Sequence, residues 1–302
     1  MKSLIIRIIW FGAALFATFS NAWAQATPNH VYQAVGALEA YAKSFRQADF
    51  NPAKPGGEIA TPAFKPRHVQ FRAITLNNRL NLLRRLHGLG PGPQIVVGDE
   101  LITPGHVART VGLLRTSIAE LASIYGLETA PEIEDLPSGK KPGDVYLRLS
   151  NVIRLIDGLY LPKTAPNDVY QMADTALVEA RLLASSIGQR NSPPPVEYPA
   201  TKSPKEVFQA VIDAAHDLQD MIQQRNEIAP SGGLAVPELP GGKVTPGDVA
   251  RAVMLLLADL HEIRLKAGVT DTLRFSSMPT GKVPVDVGER IGVIRNLVST
   301  LR

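Results

Sequence analysis

A short unit, a proline followed two residues later by Asp, Glu or His and then by valine, recurs along the chain at Pro28, Pro66, Pro104, Pro142, Pro166, Pro204, Pro246 and Pro284. The spacings are 38, 38, 38, 24, 38, 42 and 38 residues, and the single 24 divides the series into two sets of four. The sets correspond in order. Pro28-Asn29-His30-Val31-Tyr32-Gln33 matches Pro166-Asn167-Asp168-Val169-Tyr170-Gln171, and Thr103-Pro104-Gly105-His106-Val107-Ala108-Arg109 matches Thr245-Pro246-Gly247-Asp248-Val249-Ala250-Arg251.

Each unit reads as the start of a helix. In the seventh, Thr245 is an N-cap, Pro246 at N1 needs no amide partner, and Asp248 at N3 faces the positive end of the helix dipole. The apolar pair flanking the cap, Val244 with Val249 or Ile102 with Val107, matches a hydrophobic staple. Steps of 4, 3, 4 and 3 from each motif valine trace an apolar seam. The third helix gives Val107, Val111, Leu114, Ile118 and Leu121; the weakest is the alanine-rich fifth, Val169, Ala173, Ala176, Ala180 and Leu183. Such seams belong to helix bundles. The expectation is an all-α protein of two duplicated four-helix modules, residues 25–162 and 163–302.

Connectors of roughly 14 to 18 residues exceed the 2 to 8 usual between bundle helices, so consecutive helices could run either way. Up-and-down order is the commoner arrangement. The short junction Leu161-Pro162-Lys163-Thr164-Ala165 predicts that helices four and five are antiparallel neighbours. Three connectors carry a turn of their own, Leu136-Pro137-Ser138-Gly139-Lys140, Leu239-Pro240-Gly241-Gly242-Lys243 and Met278-Pro279-Thr280-Gly281-Lys282.

Residues 1–24 read as a cleaved signal peptide: Lys2 and Arg7 precede an uncharged run from Ile8 to Phe19, and Ala22-Trp23-Ala24 offers a cleavage site before Gln25. The run is short for a membrane span, and no later stretch is long and apolar enough to be one. A soluble, periplasmic or secreted mature chain with no transmembrane segment is therefore expected. Removing Lys2 and Arg7 from the 32 Lys plus Arg leaves 30 against 28 Asp plus Glu, a net charge of +2 that gives little reason to expect nucleic acid. The absence of cysteine excludes disulfides, c-type haem attachment and thiolate metal sites. Both tryptophans, Trp10 and Trp23, fall in the signal segment, leaving none for stacking against sugars or bases.

No catalytic or cofactor-binding residue is assigned. His261-Glu262 lacks the second histidine of a zinc-protease helix, since position 265 is Leu; the Gly-Lys turns lack the remainder of a phosphate loop; no Gly-x-Ser-x-Gly occurs. His30, His68 and His106 share the N3 position that Asp144 holds in the fourth helix. They either cap as Asp does or, if the helices run parallel, gather into a zinc or copper set. Charge separates the modules further. The helix within 65–88 carries Lys65, Arg67, Arg72, Arg79, Arg84 and Arg85 with no acidic residue from Lys65 to Arg85, while its counterpart carries Glu206, Asp213, Asp217, Asp220 and Glu227. Docking of modules or chains through these two helices, an anionic partner on the basic one, or two solvated faces are the readings. The expected function is an exported helical binding or interaction module with a protein or itself as partner. The alternatives are a small-ligand sensor or carrier with a pocket between helices, near Ala173, Ala176 and Ala180, and a metal-binding protein or enzyme using the three histidines.

Overall fold

A computed structural model describes residues 25–51, 63–188 and 203–302; the signal-peptide expectation for 1–24 lies outside them. The described residues are all-α. Every motif proline opens a helix: α1 Pro28–Ala48, α2 Pro66–Leu86, α3 Pro104–Ala122, α4 Pro142–Asp157, α5 Pro166–Ser186, α6 Pro204–Gln224, α7 Pro246–Lys266 and α8 Pro284–Ser299. One 3-10 turn, Asn226–Ile228, follows α6.

Within the first set, α1 and α2 each pack on both α3 and α4, and within the second, α5 and α6 each pack on both α7 and α8. Each set surrounds an apolar core, and all the seam positions are at most 5% exposed. Ala173, Ala176 and Ala180 lie in the second core, so the small side chains of α5 let helices approach and do not open a pocket.

The up-and-down expectation is overturned. Pro28, Pro66, Pro104 and Pro142, with Val31, Val69, Val107 and Val145, ring one small apolar space. The equivalent prolines and valines of α5 to α8 ring another. All four helices of a set thus start at one end and run in the same direction. This explains the motif physically. Where four helix starts converge, unpaired amides crowd the bundle axis; proline at N1 removes one from each helix, and valine at N4 plugs the end. The connectors 87–103, 123–141, 225–245 and 267–283 are long because each must travel back along the bundle to the next start.

The third motif residue has a common duty too. In every helix its side chain accepts the backbone N–H of the N-cap residue. Carboxylates do so at Asp144, Asp168, Glu206, Asp248 and Asp286, over 2.6 to 2.9 Å. His30, His68 and His106 do so through Nδ1, over 2.9 to 3.2 Å. The converse bond, from the N3 amide to the N-cap hydroxyl, forms only at Thr103, Ser203 and Thr245. An acceptor at N3 is therefore the general requirement, and it is the half of the capping box that imidazole can supply.

The Gly-Lys turns before α4 and α8 tie the returning straps to the first helix of each set. Asn29 and Asn167 accept the N–H of Lys140 and Lys282, both at 2.8 Å. Gln33 and Gln171 donate to the carbonyls of Glu134 and Ser276, both at 2.7 Å. Lys140 with Arg148 faces the ring of Tyr32, and Lys282 with Arg290 faces that of Tyr170.

Candidate ligand site between the helix sets

The two sets meet through α2 and α7, and α7 is suited to this by sequence. Besides its seam, it is apolar at Met254, Leu255, Leu257 and Ala258, so it buries a second face. At the centre of the contact lies an ionic cluster. Arg67, 1% exposed, donates Nε to Asp259 at 2.6 Å and Nη1 to Glu262 at 2.9 Å, and also bonds the carbonyls of Ser231 and Gly233 in the strap before α7. His68 Nδ1 is occupied by the Lys65 N–H, which leaves the ring proton on Nε2, 2.8 Å from the same Asp259 carboxylate. Burial pushes the Asp259 carboxyl up, but His68, Arg67 and the Ala235 amide outweigh it and hold the group below its ordinary value. Beside this, Glu179 accepts from Arg264 at 2.7 Å and lies 3.0 Å from His261 Nδ1. The straps join as well, through an antiparallel bridge between Val97 and Leu273.

Docking of the two sets within one chain through helices two and six is thus corrected: α2 meets α7 and has no contact with α6. The acidic residues of α6 are answered within their own set, Asp213 and Asp217 by Arg295, and Asp217 and Asp220 by Arg302. Nor are α4 and α5 neighbours; they make no contact. The short junction instead carries the chain from the C-terminal end of one set to the starting end of the other. The contact is asymmetric, because α7 corresponds in order to α3 while α2 corresponds to α6.

Beyond the ionic cluster the sets diverge and enclose a cleft of about 520 Å³. The C-terminal half of α2 and the end of α4 form one wall, and the starts of α5 and α7 with the strap residues Phe275 and Met278 form the other. Four arginines line it: Arg72, Arg79, Arg85 and Arg251. Arg79 is paired with Asp157 and Arg251 with Asp248. Among the described residues Arg72 has no carboxylate partner, and neither has the exposed Arg85. Nε of Arg72 donates to the Ser150 hydroxyl at 2.9 Å, and its guanidinium lies 5.5 Å from the centre of the Tyr146 ring. Burial pulls this guanidinium below its usual value, and Arg251 acts in the same direction against Tyr146 and Asp157. Arginine keeps its proton regardless, so the shift records chiefly the burial of this cation.

The structure distributes the basic helix among several tasks. Arg67 and His68 dock α7, Arg84 binds Glu120 and the carbonyls of Gly90 and Ser117, and Arg72, Arg79 and Arg85 line the cleft. His30, His68 and His106 share one end of the first set but are engaged in capping. Among the described residues no group of three or more His, Cys, Asp or Glu is arranged to hold a metal ion, and no helix is long and apolar enough to cross a membrane. Sequence reasoning missed Arg251, Asp259 and Glu262, whose one signal is the polar interruption of a helix otherwise apolar on most sides. Comparison with protein-family models, with curated proteins and with solved structures found no match to this chain.

Proposed function

We propose that this chain is an exported binding protein, built of two copies of one four-helix unit, residues 25–162 and 163–302, behind a cleaved signal peptide at 1–24. Its ligand is a small anionic solute held in the cleft between the units. Duplication is supported by the strap bonds, which recur at Asn29, Gln33 and Lys140 and at Asn167, Gln171 and Lys282. The observation that carries the ligand site is Arg72, a partly buried cation on the wall of a cleft of ligand size with no carboxylate to meet it. Export is supported by the charge and apolar pattern of 1–24.

The test is native mass spectrometry of the exported chain, together with thermal unfolding against a library of small anions, cations and neutral solutes. Anions are expected to raise the melting temperature in the wild type and not in Arg72→Met. A protein stabilised only by neutral or cationic solutes, or equally in both variants, overturns the reading.

A further inference from the structure

Resting on that reading, we infer that the ligand is a monocarboxylate with an apolar body, its carboxylate on Arg72 and its body against Leu82, Ile153, Met172 and Phe275. Charge fixes the valence. The cleft is lined by four arginines against three carboxylates, those of Asp157, Asp168 and Asp248, so one positive charge is in excess. The three carboxylates are committed: Asp157 to Arg79, Asp168 to the Ala165 amide, and Asp248 to Arg251 and the Thr245 amide. A single negative charge balances the wall, whereas a phosphate dianion overshoots it.

Geometry selects the head group. Nε of Arg72 is held by Ser150, whose own hydroxyl proton goes to the Tyr146 carbonyl at 2.9 Å, so this serine serves the guanidinium only as an acceptor. The Nη groups have no partner among the described residues. A planar guanidinium with free Nη donors matches the two oxygens of a carboxylate. The remaining wall is mixed, with Thr75, Asn78, Thr164 and Gln171 among its polar residues, and its apolar part receives the tail. Leu82, Ile153, Met172, Phe275 and Met278 offer no hydrogen-bonding side chain, and a fully hydrophilic acid would leave them in contact with polar groups.

The test is isothermal titration of the exported chain with octanoate, 4-phenylbutyrate, acetate, inorganic phosphate and octylamine. Octanoate and 4-phenylbutyrate are expected to bind at least tenfold more tightly than acetate and phosphate, with octylamine not binding. Arg72→Met is expected to lose at least tenfold in octanoate affinity, and Arg72→Lys to recover only part of it, because an ammonium cannot fork onto two oxygens. Met172→Asp keeps Arg72 but places a charge against the tail, and is expected to weaken octanoate more than acetate. Circular dichroism of each variant checks that the fold is retained. Phosphate binding as tightly as octanoate overturns the monocarboxylate assignment and leaves the anion cleft standing. Octylamine binding as tightly as octanoate, or no anion binding at all, overturns both.

Discussion

Replacing Arg67 with methionine isolates what the buried cluster contributes to the junction of the two sets. The side chain is 1% exposed, makes two ion pairs across the interface and also satisfies the carbonyls of Ser231 and Gly233. Removing one partner of a buried ion pair costs about 3–5 kcal/mol, because the charge left behind is uncompensated. Here the carboxylates keep some support: Asp259 retains His68 and the Ala235 amide, and Glu262 retains the Ser231 amide. The loss therefore belongs near the lower end, about 3 kcal/mol. With a urea slope of about 1–3 kcal/mol per molar, the unfolding midpoint should fall by about 1 M or more. The assay is urea unfolding followed by far-ultraviolet circular dichroism at about 0.01 M and about 0.5 M salt, between which the Debye length falls from about 30 Å to about 4 Å. A buried pair is screened little, so the loss should persist in salt. A cost below about 1 kcal/mol, the size of an exposed ion pair, would refute the burial argument. So would a loss that disappears in salt.

Helices, starts and seams were legible because each is set by local chemistry repeated along the chain. Direction was also encoded, but in a form that base rates obscured. Identical starts at Pro28, Pro66, Pro104 and Pro142 call for identical surroundings, and in an up-and-down bundle consecutive starts lie at opposite ends. The connectors, long enough to return along a helix, agree with this. The docking pair was hidden for a different reason. Asp259 stands where α3 has Ser117, so the residues that join the sets break the repeat instead of following it. The extra apolar face of α7 was the visible trace. The cleft was least legible, since Arg72 and Arg251 come from helices far apart in sequence and only the asymmetric docking brings them to one wall.

Asp259 should make the protein acid-sensitive. Its folded carboxyl titrates below the unfolded value of about 3.9, so its stabilisation is fully present above that value and is lost as pH falls through the folded one. Asp259→Asn should flatten the fall in melting temperature over that acid range; an unchanged slope would assign the sensitivity elsewhere. Thr245→Ala should cost about 1 kcal/mol by removing the cap, and Leu256→Ala about 2–5 kcal/mol by opening the core; denaturant unfolding in which the two costs are equal would contradict the seam. Asn29→Ala and Asn167→Ala should each speed hydrogen exchange at one strap amide, Lys140 in the first and Lys282 in the second, and exchange unaltered in both would show that these bonds do not hold the straps.

The parallel order of helices creates both the end plugs and the cleft, and a distance between two helix starts tests it most directly. The chain has no cysteine, so spin labels can be placed at Lys205→Cys, near the start of α6, and Lys243→Cys, just before the start of α7, the next helix in the chain and a packed neighbour. Both side chains are exposed, and neither residue is the N-cap or the N3 acceptor of its helix. With the starts at one end, the labels are separated by little more than the 8–10 Å between packed helix axes plus the label arms, a total of about 20 Å. In an up-and-down order a helix length intervenes, about 30 Å for α6 before the arms are added. A single pulsed electron resonance distance near the shorter value is expected, and a distance at or beyond the longer one would contradict the parallel bundle and the cleft built on it.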